Sequence, residues 1–140
     1  DDISGGVHDA LKDRDVFVGV SVGDLLGVDD IKSMNKEPLI FAMANPTPEI
    51  MPDLAKEAGA RVVATGRSDF DNQINNVLVF PGIFKGAIES GVKNITLKMM
   101  LDAAENLADY VENVSEDYII LSPFDKGVAE VVAKAIKDNK

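Results

Sequence analysis

The chain has 140 residues, of which 46% are hydrophobic, and it carries a formal net charge of −10. This hydrophobic share is typical of a folded globular protein, and no apolar run is long enough to cross a bilayer, so a disordered tail and a membrane protein are both excluded. The negative charge disfavours nucleic acid as a partner, because acidic surfaces repel phosphate backbones.

Short apolar strands alternate with helices along the first half of the chain. Strands are predicted over residues 15–21, 38–44 and 61–65, with helices between them over 25–34 and 52–58. Short strands separated by helices indicate βαβ units, a parallel sheet and right-handed crossovers. The predicted fold class is therefore α/β, a Rossmann-like parallel sheet with flanking helices.

The second half is predicted to be mainly helical. Helices are expected over residues 83–90 and 96–111, a short fourth strand over 118–121, and a final helix capped by Ser122 with Pro123 in its first turn. Met99 and Met100 are interpreted as core filler. Residues at helical spacing form one apolar face of the 96–111 helix: Leu97, Met100, Leu101, Ala104, Leu107, Ala108 and Val111.

Residues 1–140 are predicted to form a single unit, because the sequence contains no repeat, low-complexity segment or convincing linker. A complete dinucleotide-binding fold opens with a strand, a G-x-G-x-x-G turn and a helix. That fingerprint is missing, since Gly5-Gly6 continues as Val7-His8-Asp9. The chain is therefore expected to be the second half of a doubly wound domain plus C-terminal helices.

Asn45 directly follows the predicted 38–44 strand and precedes Pro46. Open α/β sheets bind ligands at the carboxyl ends of their strands. An amide there offers two donors and an acceptor, which suits a carboxylate or a ribose hydroxyl. A turn role is an equally weighted alternative, because Asn-Pro is a common loop signal.

Asn75 and Asn76 precede an apolar run over residues 77–80. Two adjacent amides before such a run make a poor sequence for a simple turn. At least one is therefore expected to point inward and to need hydrogen-bond partners. Gly19 and Ser21 end the first strand, where a ribose or phosphate could pass close to the backbone, although this signal is weak alone.

Most charged residues are assigned structural roles. Arg67 and Asp69 are expected to form a local salt bridge rather than an anion site. The sole histidine, His8, lies in a polar context and is predicted to be solvated. The acidic pairs lack metal-ligand spacing, and the absence of cysteine excludes zinc–thiolate sites, so no metal site is predicted.

Four stretches closely resemble malic enzymes of the bacterial and archaeal type. They are residues 16–21, 41–49, 64–69 and 75–82, and the resemblance runs over nearly the whole chain. Malic enzymes oxidise L-malate with NAD or NADP, decarboxylate the oxaloacetate to pyruvate, and use Mg²⁺ or Mn²⁺. The resemblance therefore implies this activity, these cofactors and a cytoplasmic protein.

Neutral residues at strand ends and before the last apolar run take the implied binding roles. The implied substrate-binding residues are Asn45, Asn75 and Asn76. The resemblance places the following residues against the cofactor: Gly19, Val20, Ser21, Asn45 and Asn75. Neutral amides can hold a carboxylate and a ribose without adding charge beside a hydride-transfer centre.

The chain departs from the family in what it lacks. The family's catalytic tyrosine and lysine, its acidic metal ligands and its glycine-rich phosphate loop lie N-terminal to the matching region, and none is present. Tyr110 and Tyr118 occur in other contexts. The isolated chain is therefore predicted to be inactive on malate, with no catalytic or metal residue of its own.

A half-domain is also expected to leave one sheet edge unpaired. The predicted partner is then the missing N-terminal half, or a second copy through self-association at that edge. NAD or NADP preference is usually set on a strand that this chain lacks, so it stays open. Two alternatives remain, namely another α/β dehydrogenase domain and a non-catalytic nucleotide-binding or assembly module.

Overall fold

The structure, a computed structural model, describes residues 4–139. The chain divides into two compact units, Asp1–Ile74 and Asn75–Lys140. One domain can contain two compact units, so the prediction that residues 1–140 form a single unit of a larger domain stays a prediction.

The first unit is a three-stranded parallel sheet with helices between the strands. Its sheet order is β1-β2-β3, and Leu39 lies opposite Val16 on one side and Val62 on the other. The predicted α/β parallel sheet is therefore confirmed. The elements in chain order are α1 (Val7–Leu11), β1 (Val16–Gly19), α2 (Val28–Ser33), β2 (Leu39–Ala42), α3 (Pro52–Glu57) and β3 (Val62–Thr65).

Burial differs between the three strands. All four residues of β3 are buried, whereas β1 alternates, with Phe17 and Gly19 buried and Val16 and Val18 exposed. A strict alternation is the pattern of a strand with one covered face. Among residues 4–139, β1 pairs only with β2. It is therefore an edge strand with one open face.

The second unit is helical. A 3-10 turn over Asn76–Leu78 precedes α4 (Phe80–Ser90), α5 (Leu97–Asp109) and α6 (Val128–Asp138). No helix built from residues 4–139 combines the length and apolar character that crossing a membrane would require. As the sequence predicts, α4 stops at Gly91, which adopts the left-handed conformation with φ 72°.

Helices α4 and α6 pack at very short range through two glycines. A Cβ on Gly82 would lie 2.5 Å from the Cβ of Val132, and a Cβ on Gly86 would lie 2.7 Å from the carbonyl oxygen of Ala133. The glycines are one helical turn apart and share a face. Their missing side chains let the two backbones approach.

The predicted apolar face of α5 is largely wrong. Leu97 is 68% exposed and Leu101 is 54% exposed. The buried ridge is instead Met99, Ala103 and Leu107, so only Leu107 belongs to both sets as a buried residue. Two apolar ridges overlap on this helix, and periodicity alone does not say which one packs. Met99 fills the core as predicted, whereas Met100 is exposed.

The predictions for residues 118–127 are wrong in two respects. Residues 118–121 do not form a strand: Tyr118 makes an isolated bridge with Ser115, and residues 119 and 120 are bends. The final helix begins at Val128, after Gly127, and not at Ser122. The Asp125 carboxylate accepts a hydrogen bond from the Ser122 backbone N–H at 2.8 Å, as in a helix cap, but this turn does not continue as a helix because Gly127 adopts the left-handed conformation with φ 93°.

Candidate functional site

The segments that follow β1 and β2 run side by side at the carboxyl edge of the sheet. The Met43 backbone N–H donates to the Gly19 carbonyl at 3.0 Å, which extends the ladder one step beyond the strands. Ser21 therefore lies in the loop beside the one that carries Ala44 and Asn45. In this fold class, ligands bind at that edge.

One buried carboxylate connects the two loops. Glu49 is fully buried, and its Oε1 accepts hydrogen bonds from the Ser21 backbone N–H at 2.7 Å and from the Ser21 hydroxyl at 3.1 Å. Its Oε2 accepts from the Ala44 backbone N–H at 3.0 Å. Both oxygens are thus engaged, one with each loop.

Glu49 is ionised at neutral pH. Burial on its own would raise the pKa of this carboxyl, but the hydrogen bonds from Ser21 and Ala44 outweigh burial and hold the pKa below its ordinary value. Glu49 is not among the functional residues predicted from the sequence. The available signal was a carboxylate placed four residues after Asn45 in a stretch with few other polar groups.

Gly19 makes room for this carboxylate. A Cβ at position 19 would lie 2.5 Å from Oε1 of Glu49 and 2.7 Å from the Phe17 ring. The glycine therefore has a packing reason to be where it is. Its implied role in lining the cofactor cleft stays a prediction, as do those of its neighbours Val20 and Ser21, which are exposed.

Asn45 is exposed at this edge, and within the part of the chain that the structure describes its amide makes no hydrogen bond. The two donors and the acceptor of the side chain are therefore available to a ligand. The backbone on its N-terminal side is held, because the Ala44 N–H is bound to Glu49.

Asn75 and Asn76 lie in the second unit, where Asn75 has a local role. The Asn75 Oδ1 accepts from the Val77 backbone N–H at 3.0 Å and so caps the 3-10 turn. This turn role differs from the expectation that the Asn75-Asn76 pair is unsuited to a turn. The Asn75 side chain is half-buried, Asn76 is exposed, and their substrate roles stay predictions.

Charged groups near the first unit's loops are engaged with one another. Arg67 pairs with Asp69, with Nη2 and Oδ2 separated by 2.6 Å, which confirms the predicted local salt bridge. The guanidinium holds the pKa of Asp69 below its ordinary value. His8 is exposed as predicted, and its Nδ1 lies 2.7 Å from an Asp30 carboxylate oxygen.

The residues at the carboxyl edge fit one end of a dinucleotide. An unengaged amide and a hydroxyl are suitable partners for a carboxamide and a ribose. No glycine-rich phosphate loop follows a strand. A metal ion does not fit the described part by itself, since residues 4–139 contain no group of three or more His, Asp or Glu side chains that could hold one.

Comparison with known proteins agrees with this fold. The family model for the malic enzyme NAD-binding domain matches residues 15–138. The bifunctional malic/malolactic enzyme of Bacillus subtilis (strain 168) is 54% identical over 134 residues, which are 94% of this chain and 33% of that protein. The NAD-dependent malic enzyme of Geobacillus stearothermophilus is 49% identical over 138 residues, 97% of this chain and 29% of that protein.

Solved structures give the same result. The crystal structure of malic enzyme from Pyrococcus horikoshii Ot3 matches with a TM-score of 0.90 at 45% identity, covering 96% of this chain and 32% of that one. This chain spans about a third of the length of the curated relatives described above. The family model and the relatives together show that the chain belongs to the malic enzyme NAD-binding domain family.

Proposed function

We propose that this chain is part of a malic enzyme, which oxidises L-malate with NAD or NADP and decarboxylates the resulting oxaloacetate to pyruvate. The observation that carries the proposal is the exposed, unengaged Asn45 amide at the carboxyl edge of the sheet, in a chain of this family. When bound, NAD(P) accepts the hydride from malate.

Asn45 is proposed to orient the reactants. Its NH₂ group donates to a malate carboxylate or hydroxyl, and its oxygen accepts from the nicotinamide side of the cofactor. Because the amide is neutral, it adds no charge at the centre where hydride leaves the substrate. The Ser21 hydroxyl donates a hydrogen bond to Glu49, so its oxygen can still accept a hydrogen bond from the cofactor.

The other proposed contacts follow the same chemistry. Asn75 uses its oxygen in the turn, so its two amide protons remain for malate, with Asn76 beside it. The proposed substrate-binding residues are Asn45, Asn75 and Asn76. The proposed cofactor-binding residues are Gly19, Val20, Ser21, Asn45 and Asn75.

We propose that residues outside this chain bind Mg²⁺ or Mn²⁺. Those residues also supply the general acid and base and the phosphate-binding loop. The support is the missing phosphate loop and the lack of a metal-ligand cluster in residues 4–139. The 140-residue chain alone is therefore expected to leave malate unchanged. Turnover by the purified chain would contradict this division of roles.

The test uses the full-length polypeptide that carries this chain. It is mixed with L-malate, Mn²⁺ and either NAD or NADP, and the reduced cofactor and pyruvate are measured. Asn45→Ala should lower kcat/KM by about 100-fold, the loss of hydrogen bonds to a charged substrate. Asn94→Ala, at an exposed asparagine of the second unit, serves as the control. An unchanged kcat/KM for Asn45→Ala would overturn the proposal.

A second product is measured in the same assay. The Bacillus subtilis relative is named as malic and malolactic, so direct decarboxylation of malate to lactate and CO₂ is the second candidate activity. Lactate formed without net reduction of the cofactor would favour it. Pyruvate with an equal amount of reduced cofactor would favour the malic activity. NAD against NADP preference is read from the same experiment.

The open edge of β1 is proposed to be covered by the rest of the enzyme or by a second copy of the chain. The support is that, among residues 4–139, β1 pairs only with β2, and that both of its valines are exposed, Val16 at 46% and Val18 at 64%. Equilibrium sedimentation of the isolated chain should detect self-association, and a well-folded monomer alone would contradict it. The cytoplasmic location stays a prediction, to be checked by cell fractionation.

A further inference from the structure

We infer that Glu49 is a positioning residue, whose buried carboxylate holds the Ser21 and Ala44 loops together so that the Asn45 amide is presented to the ligand. The inference deepens the proposed function and rests on it. It assigns a role to a residue that touches neither substrate nor cofactor.

Glu49 cannot act on the substrate directly. Its side chain is fully buried, and both carboxylate oxygens already accept hydrogen bonds, from Ser21 at 2.7 and 3.1 Å and from Ala44 at 3.0 Å. A carboxylate that is buried away from solvent is a poor general base, because a substrate proton cannot reach it. The group therefore acts through the two loops that it connects.

The connection is one that glutamate alone makes well. Each carboxylate oxygen serves a donor from a different loop, and an ionised acceptor makes these hydrogen bonds stronger than neutral ones. In glutamine, one oxygen becomes an NH₂ group, which would face a backbone N–H instead of accepting from it. One of the two loops would then lose its partner.

The remainder of the frame does not depend on the carboxylate. The Asp24 backbone N–H donates to the Pro48 carbonyl at 3.0 Å, and the Leu26 N–H donates to the Glu49 carbonyl at 2.9 Å. Ile50 follows in the core and is 1% exposed. A Glu49→Gln variant therefore keeps these backbone contacts, and the change falls on the ligand side of the loops.

Ala44 is the residue before Asn45, so freeing its N–H loosens the backbone from which the Asn45 amide projects. A ligand must then order that backbone as it binds, and the cost appears in binding and orientation rather than in chemistry elsewhere. Loss of a charge-assisted hydrogen bond corresponds to about a 10-fold change in an equilibrium constant.

The experiment compares three variants of the full-length polypeptide: Glu49→Gln, Glu49→Asp and, as a matched control, Glu57→Gln, which makes the same change at an exposed position of α3. Hydrogen exchange of the Ser21 and Ala44 amides is measured without ligands. Steady-state kinetics then give KM for malate and kcat. Glu49→Gln should speed exchange at one or both amides and raise KM by about 10-fold.

The conservative variant separates positioning from general stability. Glu49→Asp keeps both acceptor oxygens and the charge, so it should recover part of the protection and part of the KM. If Glu49→Gln does not fold, Glu49→Asp is compared with the wild type instead. A merely structural role would lower the melting temperature and the active fraction, while KM would stay at the wild-type value.

Three outcomes overturn the inference: unchanged exchange at both amides, faster exchange with unchanged KM, or equal effects from Glu57→Gln. Failure of the proposed function looks different, because the wild-type polypeptide would then form neither pyruvate nor lactate. In that case the role of Glu49 in presenting Asn45 to a ligand is rejected as well. The exchange data still show whether Glu49 holds the two loops together.

Discussion

Asn45 of the first unit and Asn75 of the second unit are held in opposite ways. In the first unit, Glu49 reaches Ser21 across 28 residues of sequence, and Asn45 remains unengaged beside this link. In the second unit, Asn75 binds a backbone N–H only two residues away. The comparison teaches that an amide stays available to a ligand when another group fixes its loop. Otherwise the amide itself becomes part of the turn.

The cores of the two units are also built differently. The first unit buries apolar side chains on a sheet whose strands come from distant parts of the sequence, with Ile40 and Ala55 fully buried. The second unit depends on the close approach of α4 and α6 at Gly82 and Gly86. The contrast can therefore be tested with substitutions that change helix packing in the second unit and with substitutions that change polar contacts in either unit.

The largest effect is expected from Gly82→Val in the second unit. The added side chain meets the Val132 Cβ at 2.5 Å and the Ala129 carbonyl oxygen at 2.7 Å, which are parts of α6 that cannot turn aside. Overpacking of this kind should lower the free energy of unfolding by about 3 kcal/mol. The measurement is urea denaturation followed by circular dichroism.

Ile88→Val on the same helix is the control, since Ile88 is 82% exposed and should change stability little. Hydrogen exchange at Ser21 and Ala44 of the first unit should be the same in Gly82→Val as in the wild type. Equal stability of Gly82→Val and Ile88→Val would mean that α4 and α6 do not need the glycine.

The next effect is the pH dependence of the Glu49→Gln difference. The pKa of Glu49 in the folded state lies below its ordinary value of 4.5, so its contribution to stability is complete above pH 4.5 and is lost as the pH falls through the folded pKa. At neutral pH the variant should be less stable by about 2 kcal/mol.

The gap between wild type and Glu49→Gln should therefore narrow on acidification below pH 4.5. Other carboxyls with lowered pKa values, Asp69 and Asp102 among them, are common to both proteins and cancel in the difference. The measurement is urea denaturation between pH 7 and about pH 3. A gap that stays constant over this range would show that Glu49 is not the titrating group.

The smallest effect on stability is expected at Asn75, where two substitutions separate the turn from the substrate. Asn75→Ala removes the acceptor for the Val77 N–H and should cost about 1 kcal/mol, the typical value of a lost cap. Asn75→Asp keeps that acceptor but removes both amide protons. It should therefore fold like the wild type and raise KM for malate in the full-length polypeptide.

If Asn75→Asp leaves KM unchanged, Asn75 is a turn residue alone and the contrast with Asn45 becomes complete. If both variants raise KM equally, the cause is the loss that they share, namely the two amide protons, and a rise in Asn75→Ala alone would mean that the turn positions the substrate. Either result sharpens the assignment, because unfolding and KM are read separately.

The sheet was predictable because its signals are local. Residues 38–44 form an apolar run bounded by proline and asparagine, and β2 lies inside that run. Asn45 was predictable for the same reason, since it follows a strand directly. The resemblance to malic enzymes also rested on these strand ends.

The missed features depend on contacts that local pattern does not encode. In the sequence, Glu49 has the pattern of a loop residue, because its partner Ser21 is 28 residues away. The buried ridge of α5, with Met99 and Ala103, was missed because a second apolar ridge runs beside it. The turn at Ser122 uses the serine and aspartate of a helix cap, but the helix begins only after Gly127, and the sequence pattern does not show this difference.

The contact between Gly19 and Glu49 has a consequence for protein engineering. A methyl group at position 19 would occupy the space of the Glu49 carboxylate, 2.5 Å from Oε1. A side chain at position 19 therefore requires both the Glu49 carboxylate and the Phe17 ring, 2.7 Å away, to move, and displacing the carboxylate releases the loops. Any redesign that introduces a larger residue at position 19 must therefore rebuild this link first.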